Sequence, residues 1–280
     1  MNAINQIKMF ELENKVEVLN HNYNNKKIIL PTDFKTFEKV TDNSSISQND
    51  CLKGLTTIAS KSIDFILTDP PYNLGNFMHN RNTNLVKMRA NQFAYSGWDN
   101  LEFDEWKGNM DIFFKESNRV LKKKGSMILF MSLMKLETMI ELAEKNGFYY
   151  KTVGIWHKKN PMPRNMNLHF INSTEAWIYL INEGTTGVFN NKGKVIHDFI
   201  ESGLTNGSEK SFGKHPTQKP LKVLNHFIDL LSNEKDTILD PFMGSGSTGV
   251  SCEILNRKFL GIELEEKYYK IAKNRIIKGY

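Results

Sequence analysis

The sequence predicts an α/β protein in which helices cover both faces of a mostly parallel sheet. Two observations predict this class: short apolar runs alternate with segments of helical periodicity after about residue 47, and two of the runs end in Asp-Pro. Such alternation is typical of parallel sheets, whose ligands bind beyond the carboxyl ends of the strands. We therefore expect the two pairs, Asp69-Pro70 and Asp240-Pro241, to mark one ligand-binding edge.

Each element is placed by its apolar spacing and by the prolines and glycines that interrupt it. Strands are predicted at residues 62–68, 126–130, 148–156, 175–181, 237–239 and 259–262. Helices are predicted at residues 111–121, 133–146, 221–231, 248–255 and 267–277. Residues 1–46 have no sustained period and are predicted to be an N-terminal extension, which leaves residues 47–280 as the folded domain. Two stretches inside that domain, about residues 73–100 and 182–214, lack a period and are predicted to be functional loops.

Composition narrows the classes of protein that the sequence fits. The 280 residues carry a net charge of +6, which favours a polyanionic partner such as nucleic acid. The two cysteines, Cys51 and Cys252, form no CxxC pair and have no neighbouring histidine cluster, so we expect neither a metal site nor a disulfide. The sequence has no signal-peptide pattern and no membrane-length apolar run, and it predicts a cytoplasmic protein.

The loop Asp69-Pro70-Pro71-Tyr72 is the most specific feature of the chain. Consecutive prolines fix φ and remove two N–H donors, so they predict a stiff turn with outward-facing carbonyls. The exocyclic amine of a base is a poor nucleophile because its lone pair is delocalised into the ring. The Asp69 carboxylate and a proline carbonyl are suited to hold its two N–H bonds and to stabilise the charge that develops on nitrogen. Tyr72 is expected to stack on the base, which must leave the duplex or be single-stranded. These four residues are the predicted catalytic residues.

The segment from Asp240 to Gly249 predicts a second loop, between a strand and a helix. Its glycines allow a tight turn and a close approach to a ligand, and the N–H groups of the following helix face that ligand. No Lys-Ser or Lys-Thr pair follows them, which argues against a phosphate-binding loop. About twenty residues later a strand ends at Glu263, whose carboxylate is suited to accept both hydroxyls of a ribose.

Three motifs together resemble the amino DNA methyltransferases of the beta group. They are the Asp69-Pro70-Pro71-Tyr72 loop, the Asp240-to-Gly246 loop, and the hexapeptide His215-Pro216-Thr217-Gln218-Lys219-Pro220 just upstream of the second loop. The resemblance runs from about residue 47 to residue 277, in the motif order of that group, and makes residues 47–280 the methyltransferase catalytic domain. It implies a Rossmann-like, circularly permuted fold with a mostly parallel seven-stranded sheet, and S-adenosyl-L-methionine as the cofactor.

The resemblance also implies which residues contact the cofactor. Asp50 is expected near its adenine, Glu263 at its ribose, and Thr217 and Lys219 at its carboxylate. The full implied set is Asp50, Asp69, His215, Thr217, Gln218, Lys219, Asp240, Pro241, Phe242, Gly244, Ser245, Gly246, Ser247, Thr248 and Glu263.

The same resemblance suggests a substrate. Asp at the first motif position is commoner in that family for adenine N6 and Ser for cytosine N4, so Asp69 favours adenine, with cytosine N4 as the alternative. The run at residues 160–165 is similar to small members that act on adenine in restriction–modification systems. The basic residues predicted to contact DNA, double-stranded or single-stranded, are Arg81, Lys87, Arg89, Lys158, Lys159 and Arg164. A homodimer and a cognate restriction endonuclease are compatible with the resemblance.

Two further classes remain open at this point. A methyltransferase of RNA or protein is the first, because similar Asp/Asn-Pro-Pro-Tyr loops serve other planar amines. A catalytically idle DNA-binding partner subunit is the second, although both intact loops argue against it. The loop at residues 73–96 is basic and contains no acidic residue. This loop and the order of the motifs favour DNA over RNA or protein.

Overall fold

A nine-stranded sheet forms the centre of a computed structural model, which describes residues 37–74, 101–161, 170–213 and 215–279. The strands in chain order are β1 Glu38–Lys39, β2 Ser44–Gln48, β3 Ile63–Thr68, β4 Leu121–Met131, β5 Phe148–Lys158, β6 Thr174–Asn182, β7 Phe199–Ser202, β8 Thr237–Asp240 and β9 Lys258–Glu263. The helices are α1 Cys51–Thr56, α2 Phe103–Val120, α3 Leu136–Lys145, α4 Leu221–Leu231, α5 Ser247–Ile254 and α6 Glu266–Lys278. Two 3₁₀ turns lie at Leu133–Lys135 and Ser208–Lys210.

The strand order across the sheet is β1-β2-β9-β8-β3-β4-β6-β5-β7. Five of the eight pairings are parallel, including the central run from β2 through β9, β8 and β3 to β4. The strand that precedes the Asp-Pro-Pro-Tyr loop comes early in the chain, yet it lies beside β8, which precedes the glycine loop. The predicted α/β class with a mostly parallel sheet is confirmed, but nine strands in the described residues replace the predicted seven.

Four elements escaped the sequence analysis because they carry little apolar signal. Strand β2 reads Ser-Ser-Ile-Ser-Gln and is held by parallel backbone pairing to β9. It also places sheet residues on the N-terminal side of the predicted boundary at residue 46. Strand β1 has two residues, α1 has six, and the four-residue edge strand β7 lies inside the segment 182–214 that was predicted to be irregular.

The boundary between α2 and β4 also differs from the prediction. Helix α2 begins at Phe103, eight residues before its predicted start at residue 111, and its first turns bury Trp106 and Met110. Strand β4 begins at Leu121 and runs through three lysines that were expected to lie beyond a helix end. Those lysines are exposed in the strand, so the polar run that resembles a helix stop is the solvent-facing start of a strand.

Helices bury both faces of the sheet, as the apolar runs predicted. Alternate side chains of β3 enter different cores: Phe65 and Leu67 face one, and Ile66 between them faces the other. The first core is closed by residues of α4, α5 and α6, and the second by residues of α1, α2 and α3. Among the described helices, none has the length and apolar character needed to cross a bilayer.

Gly154 in β5 is predicted to tolerate no side chain. A Cβ at this position would lie 1.9 Å from Trp177 Cζ2 and 2.4 Å from the Asp198 carbonyl oxygen. Gly154→Ala is therefore expected to lower the free energy of unfolding by about 1–3 kcal/mol, because overpacking displaces neighbouring groups. Urea unfolding monitored by circular dichroism measures this change.

Gly108→Ala is the matched control, since Gly108 lies inside α2 and a Cβ there meets nothing within 4 Å. Gly108→Ala is expected to raise the free energy of unfolding by about 0.5–1 kcal/mol, because alanine loses less backbone entropy than glycine when a helix forms. Equal stability of the two variants would contradict the close packing of Trp177 and Asp198 around Gly154.

Candidate active site

The ends of two neighbouring parallel strands bring the two predicted loops together. Strands β3 and β8 pair with Phe65 opposite Ile238 and Ile66 opposite Leu239, so both chains leave the sheet at the same edge. The Thr68 hydroxyl donates to Asp240 Oδ1 at 2.8 Å. The residue before Asp69 is therefore joined directly to the first residue of the glycine loop.

Asp240 is a buried carboxylate that connects three elements. Besides Thr68, it accepts a hydrogen bond from the Thr248 hydroxyl of α5 at 2.6 Å and one from the Phe242 N–H at 3.2 Å. Burial raises the pKa of Asp240 to about 6, and these donors partly offset that effect. The predicted cofactor residues Asp240, Phe242 and Thr248 thus form one hydrogen-bonded unit at the sheet edge.

The glycine loop needs backbone conformations that only glycine adopts easily. Gly244 and Gly246 have φ of 51° and 77°, in the left-handed region. A Cβ at Gly246 would lie 2.8 Å from Ala272 Cβ on α6, so the loop passes very close to that helix. The resulting bend leads directly into the N-terminus of α5, which starts at Ser247.

A buried arginine that the sequence analysis missed supports this bend. Arg275 of α6 is fully buried, and its Nη1 donates to the Ser245 carbonyl at 2.7 Å, the Ser245 hydroxyl at 3.0 Å and the Ser247 hydroxyl at 2.9 Å. Burial lowers the pKa of Arg275 to about 10, which leaves it cationic at neutral pH. An arginine in a lysine-rich helix gives no sequence signal of burial, and only its tertiary contacts reveal this role.

Glu263 and Asp50 lie at the ends of adjacent parallel strands. Gln48 of β2 is opposite Glu263 of β9, and the Asn49 N–H donates to the Glu263 carbonyl at 2.9 Å. Asp50 caps α1 by accepting from two backbone N–H groups of the first helical turn. The Glu263 carboxylate accepts from the N–H groups of Gly244 at 2.9 Å and Glu265 at 2.8 Å. Burial raises the pKa of Glu263 to about 7, against the lowering effect of these two bonds.

The segment that contains His215 packs against the glycine loop. The His215 and Tyr268 rings meet edge to face, with 4.3 Å between the ring centres. A Cβ at Gly244 would lie 3.3 Å from His215 Nε2. Burial, reinforced by nearby cations, lowers the pKa of His215 to about 4, so the ring is neutral at pH 7. Thr217 contacts His215 Nδ1 through its N–H and hydroxyl, and the Ser245 hydroxyl donates to Gln218 Oε1 at 3.1 Å.

Five charged or phenolic side chains form a cluster beside the Asp-Pro-Pro-Tyr loop, hereafter the Asp69 cluster: Asp69, Tyr72, Lys158, Glu175 and Lys219. The Tyr72 hydroxyl lies 2.7 Å from Asp69 Oδ1 and 2.8 Å from Glu175 Oε1. The Lys219 ammonium donates to Asp69 Oδ2 and, at 2.6 Å, to Glu175 Oε1. Lys158 pairs with Glu175 Oε2 at 2.9 Å. Two ammonium groups therefore balance two carboxylates.

Burial and charge act differently on the members of this cluster. Burial raises the pKa of Asp69, and Lys219 offsets only part of that rise. Glu175 is also buried, but Lys219 and Lys158 together lower its pKa to about 2. Burial lowers the pKa of Lys219, yet its two carboxylate partners raise it by more, so Lys219 remains charged.

Three lysines among the predicted site residues form ion pairs with acidic side chains. Lys219, expected at the cofactor carboxylate, pairs with the carboxylate of Asp69. Lys158, predicted to contact DNA, belongs to the Asp69 cluster, and Lys159 pairs with Glu201 at 2.7 Å. The predicted DNA-contacting residues Arg81, Lys87, Arg89 and Arg164 lie outside the described residues.

Glu175 and Trp106 are site residues that the sequence analysis missed. Glu175 is near the start of β6, which runs antiparallel to β4, so its first residues lie at the edge where β3 and β4 end. The Trp106 indole N–H donates to the Pro71 carbonyl at 3.3 Å, and this hydrogen bond ties the Asp-Pro-Pro-Tyr loop to α2. In the part of the chain that is described, no group of three or more His, Cys, Asp or Glu side chains is arranged to hold a metal ion.

Comparison with known protein families gives a match over most of the chain. A family model of N6 and N4 methyltransferases, described as DNA methylase, matches residues 63–274. The type II methyltransferase M2.LlaDCHI of Lactococcus lactis subsp. cremoris is 35% identical over 249 residues, covering 85% of this chain and 91% of that protein. The type II methyltransferase M2.DpnII of Streptococcus pneumoniae is 34% identical over 239 residues, covering 81% and 87%.

Solved structures share the architecture. The crystal structure of the M1.HpyAVI–SAM complex has a TM-score of 0.61 at 27% identity and covers 83% of this chain and 99% of that one. The PvuII DNA methyltransferase, titled cytosine-N4-specific, has a TM-score of 0.67 at 19% identity and covers 88% and 98%. At 19% identity, the likeness to the PvuII enzyme shows only that the two proteins share a fold.

The raised pKa of Glu263 predicts that this group makes the free protein less stable as the pH rises. The folded state retains the Glu263 proton up to about pH 7, whereas the unfolded chain releases it near the ordinary value of 4.5. Between these values the folded state binds more protons, so the free energy of unfolding falls as the pH increases.

Urea unfolding of the wild-type chain and Glu263→Gln without cofactor, at about pH 5 and about pH 8, measures this effect. The wild type is expected to lose more stability than the variant between the two pH values. An equal loss in both proteins would show that Glu263 is not responsible, since Asp240 and the other groups are common to both.

Proposed function

This chain belongs to the N6/N4 methyltransferase family of DNA methylases, and we propose that it methylates adenine N6 at specific sites in DNA, with S-adenosyl-L-methionine as the methyl donor. The observation that carries this proposal is the Thr68–Asp240 hydrogen bond between paired strands β3 and β8. It holds the Asp-Pro-Pro-Tyr loop beside the glycine loop, which is where an amine and a methyl donor would have to meet.

The residues around the glycine loop fit the proposed cofactor. Gly244 and Gly246 keep side chains out of the bend, and the N-terminus of α5 follows it. Glu263 provides a carboxylate for the ribose hydroxyls at the end of β9, and Asp50 lies at the end of the adjacent strand. When bound, this cofactor supplies an electrophilic methyl group on a sulfonium.

Asp69 is proposed to accept one N–H of the target amine, so that the nitrogen lone pair is available for attack. The Pro71 carbonyl already accepts the Trp106 indole N–H, which favours the Pro70 carbonyl as the second acceptor. Tyr72 offers its ring for stacking on a base that has left the duplex. Positioning and charge stabilisation in a partly buried site are the sources of catalysis, and no covalent enzyme intermediate is needed.

Adenine N6 is proposed rather than cytosine N4 on the family resemblance, because Asp, here Asp69, is commoner at the first motif position of adenine N6 enzymes and Ser at that of cytosine N4 enzymes. The relatives M2.LlaDCHI and M2.DpnII are named type II methyltransferases, which supports a role in restriction–modification beside a cognate endonuclease. We place DNA at the predicted loops 73–100 and 182–214 of the catalytic domain 47–280, and a homodimer remains compatible with this arrangement.

Two experiments test the substrate. Methylation-sensitive sequencing of DNA from cells that express the chain, with Asp69→Ala as the control, identifies the modified base and its sequence context. Mass spectrometry of the released nucleosides then separates N6-methyldeoxyadenosine from N4-methyldeoxycytidine. Transfer of labelled methyl to RNA or protein but not to DNA would overturn the proposal, and so would the absence of any transfer.

Asp69→Ala is expected to lower methyl transfer to DNA by at least about a hundredfold, because the developing charge on nitrogen loses its carboxylate partner. Cofactor affinity, measured by isothermal titration calorimetry, is expected to stay within about threefold, since the glycine loop is intact.

Asp64→Ala is the control, because Asp64 lies on the same strand at the opposite end from the site and pairs with Lys122 at 2.7 Å. It is expected to transfer methyl groups at close to the wild-type rate. If Asp69→Ala behaves like Asp64→Ala, Asp69 is not the catalytic carboxylate.

A further inference from the structure

Glu175 shares both hydrogen-bond donors of the catalytic carboxylate. The Tyr72 hydroxyl lies within 2.8 Å of an oxygen of each acid, and the Lys219 ammonium pairs with each. Both oxygens of Asp69 are thus occupied, Oδ1 by the hydroxyl and Oδ2 by the ammonium. A carboxylate oxygen can accept a second hydrogen bond, as Glu175 Oε1 does, so a target amine that donates an N–H to Asp69 competes with these two donors for the carboxylate.

Displacing such a donor is unfavourable unless another acceptor receives it. Lys219 is 8% exposed and Tyr72 is half-buried, so a displaced Lys219 ammonium has no access to bulk water and a displaced Tyr72 hydroxyl has little. A buried polar group without a partner loses its hydration with nothing in return, and the penalty is greater for a charged group.

We propose that Glu175 is a positioning residue that receives the Tyr72 hydroxyl and the Lys219 ammonium when the target amine takes their place on Asp69. This inference rests on the proposed function and extends it to a residue outside every motif of the sequence. Glu175 acts through its two neighbours and does not itself touch the base.

The geometry allows this exchange without a large movement. A phenol carries one proton and donates it to one acceptor at a time, and Glu175 Oε1 already lies 2.8 Å from the Tyr72 oxygen. An ammonium has three donors, and one of the three on Lys219 already points to Glu175 Oε1 at 2.6 Å. The Tyr72 ring therefore keeps its stacking position while its proton changes partner.

Lys158 keeps Glu175 ready for this role. Its ammonium pairs with Glu175 Oε2 at 2.9 Å and leaves Oε1 for the two donors from the Asp69 side. Lys158 also lies over the Trp156 ring, 5.0 Å from the ring centre, and Lys219 lies 4.9 Å from the centre of the Phe130 ring. Both ammonium groups are thus held between aromatic faces and Glu175.

The first test compares Glu175→Gln with Glu175→Ala, on DNA that carries the site found by sequencing. Gln keeps a neutral acceptor of the same shape, whereas Ala removes the acceptor. The turnover number is expected to fall about tenfold in Gln and about a hundredfold in Ala, the range expected for a weakened and a lost acceptor of buried donors. Cofactor affinity is expected to stay within about twofold in both variants, because neither change touches the glycine loop.

A double-mutant cycle with Tyr72→Phe separates positioning from a general structural role. Without the Tyr72 hydroxyl only Lys219 needs a new acceptor, so Glu175→Gln is expected to cost about threefold in the Phe background instead of about tenfold. Equal losses in the two backgrounds would overturn the proposal, and so would a wild-type turnover number in Glu175→Gln.

Glu183→Gln is the matched control. Glu183 follows the other end of β6 and also pairs with two lysines, Lys61 at 3.0 Å and Lys123 at 3.3 Å. Its replacement is expected to leave the turnover number unchanged.

If thermal melting shows that Glu175→Gln does not fold, Glu175→Asp becomes the test variant. Asp keeps the charge but withdraws the carboxylate oxygens from Tyr72. This variant is expected to have a lower turnover number and a normal cofactor affinity. A wild-type rate in Glu175→Asp would then overturn the proposal.

The outcomes distinguish this inference from the function on which it rests. If the wild-type chain transfers no methyl group to DNA, both fail. If the wild type methylates DNA and Glu175→Gln matches it in rate, the function stands and only the role of Glu175 is lost.

Discussion

The hydrogen bond from Thr68 to the buried carboxylate of Asp240 is the constraint on which the rest of the site depends. A carboxylate in the interior is unfavourable unless donors surround it, and Asp240 obtains them from β3, from the glycine loop and from α5. Because the three donors come from separate elements, the two loops of the site cannot shift independently. Arg275 of α6 adds to this support by donating a hydrogen bond to the Ser245 carbonyl of the loop.

Charge balance is the second constraint, and it makes the two acids of the Asp69 cluster unequal. Charges buried together are tolerated when each has a partner of opposite sign and its remaining hydrogen bonds are made. Glu175 has two ammonium partners and a strongly lowered pKa, whereas Asp69 has one and a raised pKa. The Asp69 carboxylate is thus the more weakly stabilised of the pair, and it is the one that more easily gains a new hydrogen-bond donor. An acid with this environment is suited to accept an N–H from a substrate.

Motifs with fixed spacing carried the family assignment, and the family match confirms an amino DNA methyltransferase. Long elements with strong periodicity were also predicted well: β3, β6, α4 and α6 agree with their predicted ranges to within one or two residues. Strand β2 was missed because three of its five residues are serines, and its stability comes from the backbone of β9. The start of α2 was missed because polar residues separate the aromatic side chains that the second core buries.

The sequence by itself determined the α/β class, the two loops and the chemistry that their residue types permit, because these depend on local spacing and on side chains a few positions apart. Only the tertiary structure decided which distant side chains meet the Asp-Pro-Pro-Tyr loop. Glu175 is 103 residues from Tyr72 and Lys219 is 150 residues from Asp69. Their meeting follows from the order and direction of the strands. Above all, β6 runs antiparallel to β4, so the first residues of β6 lie beside the carboxyl ends of β3 and β4. No local pattern encodes that direction, since it results from the packing of the whole sheet.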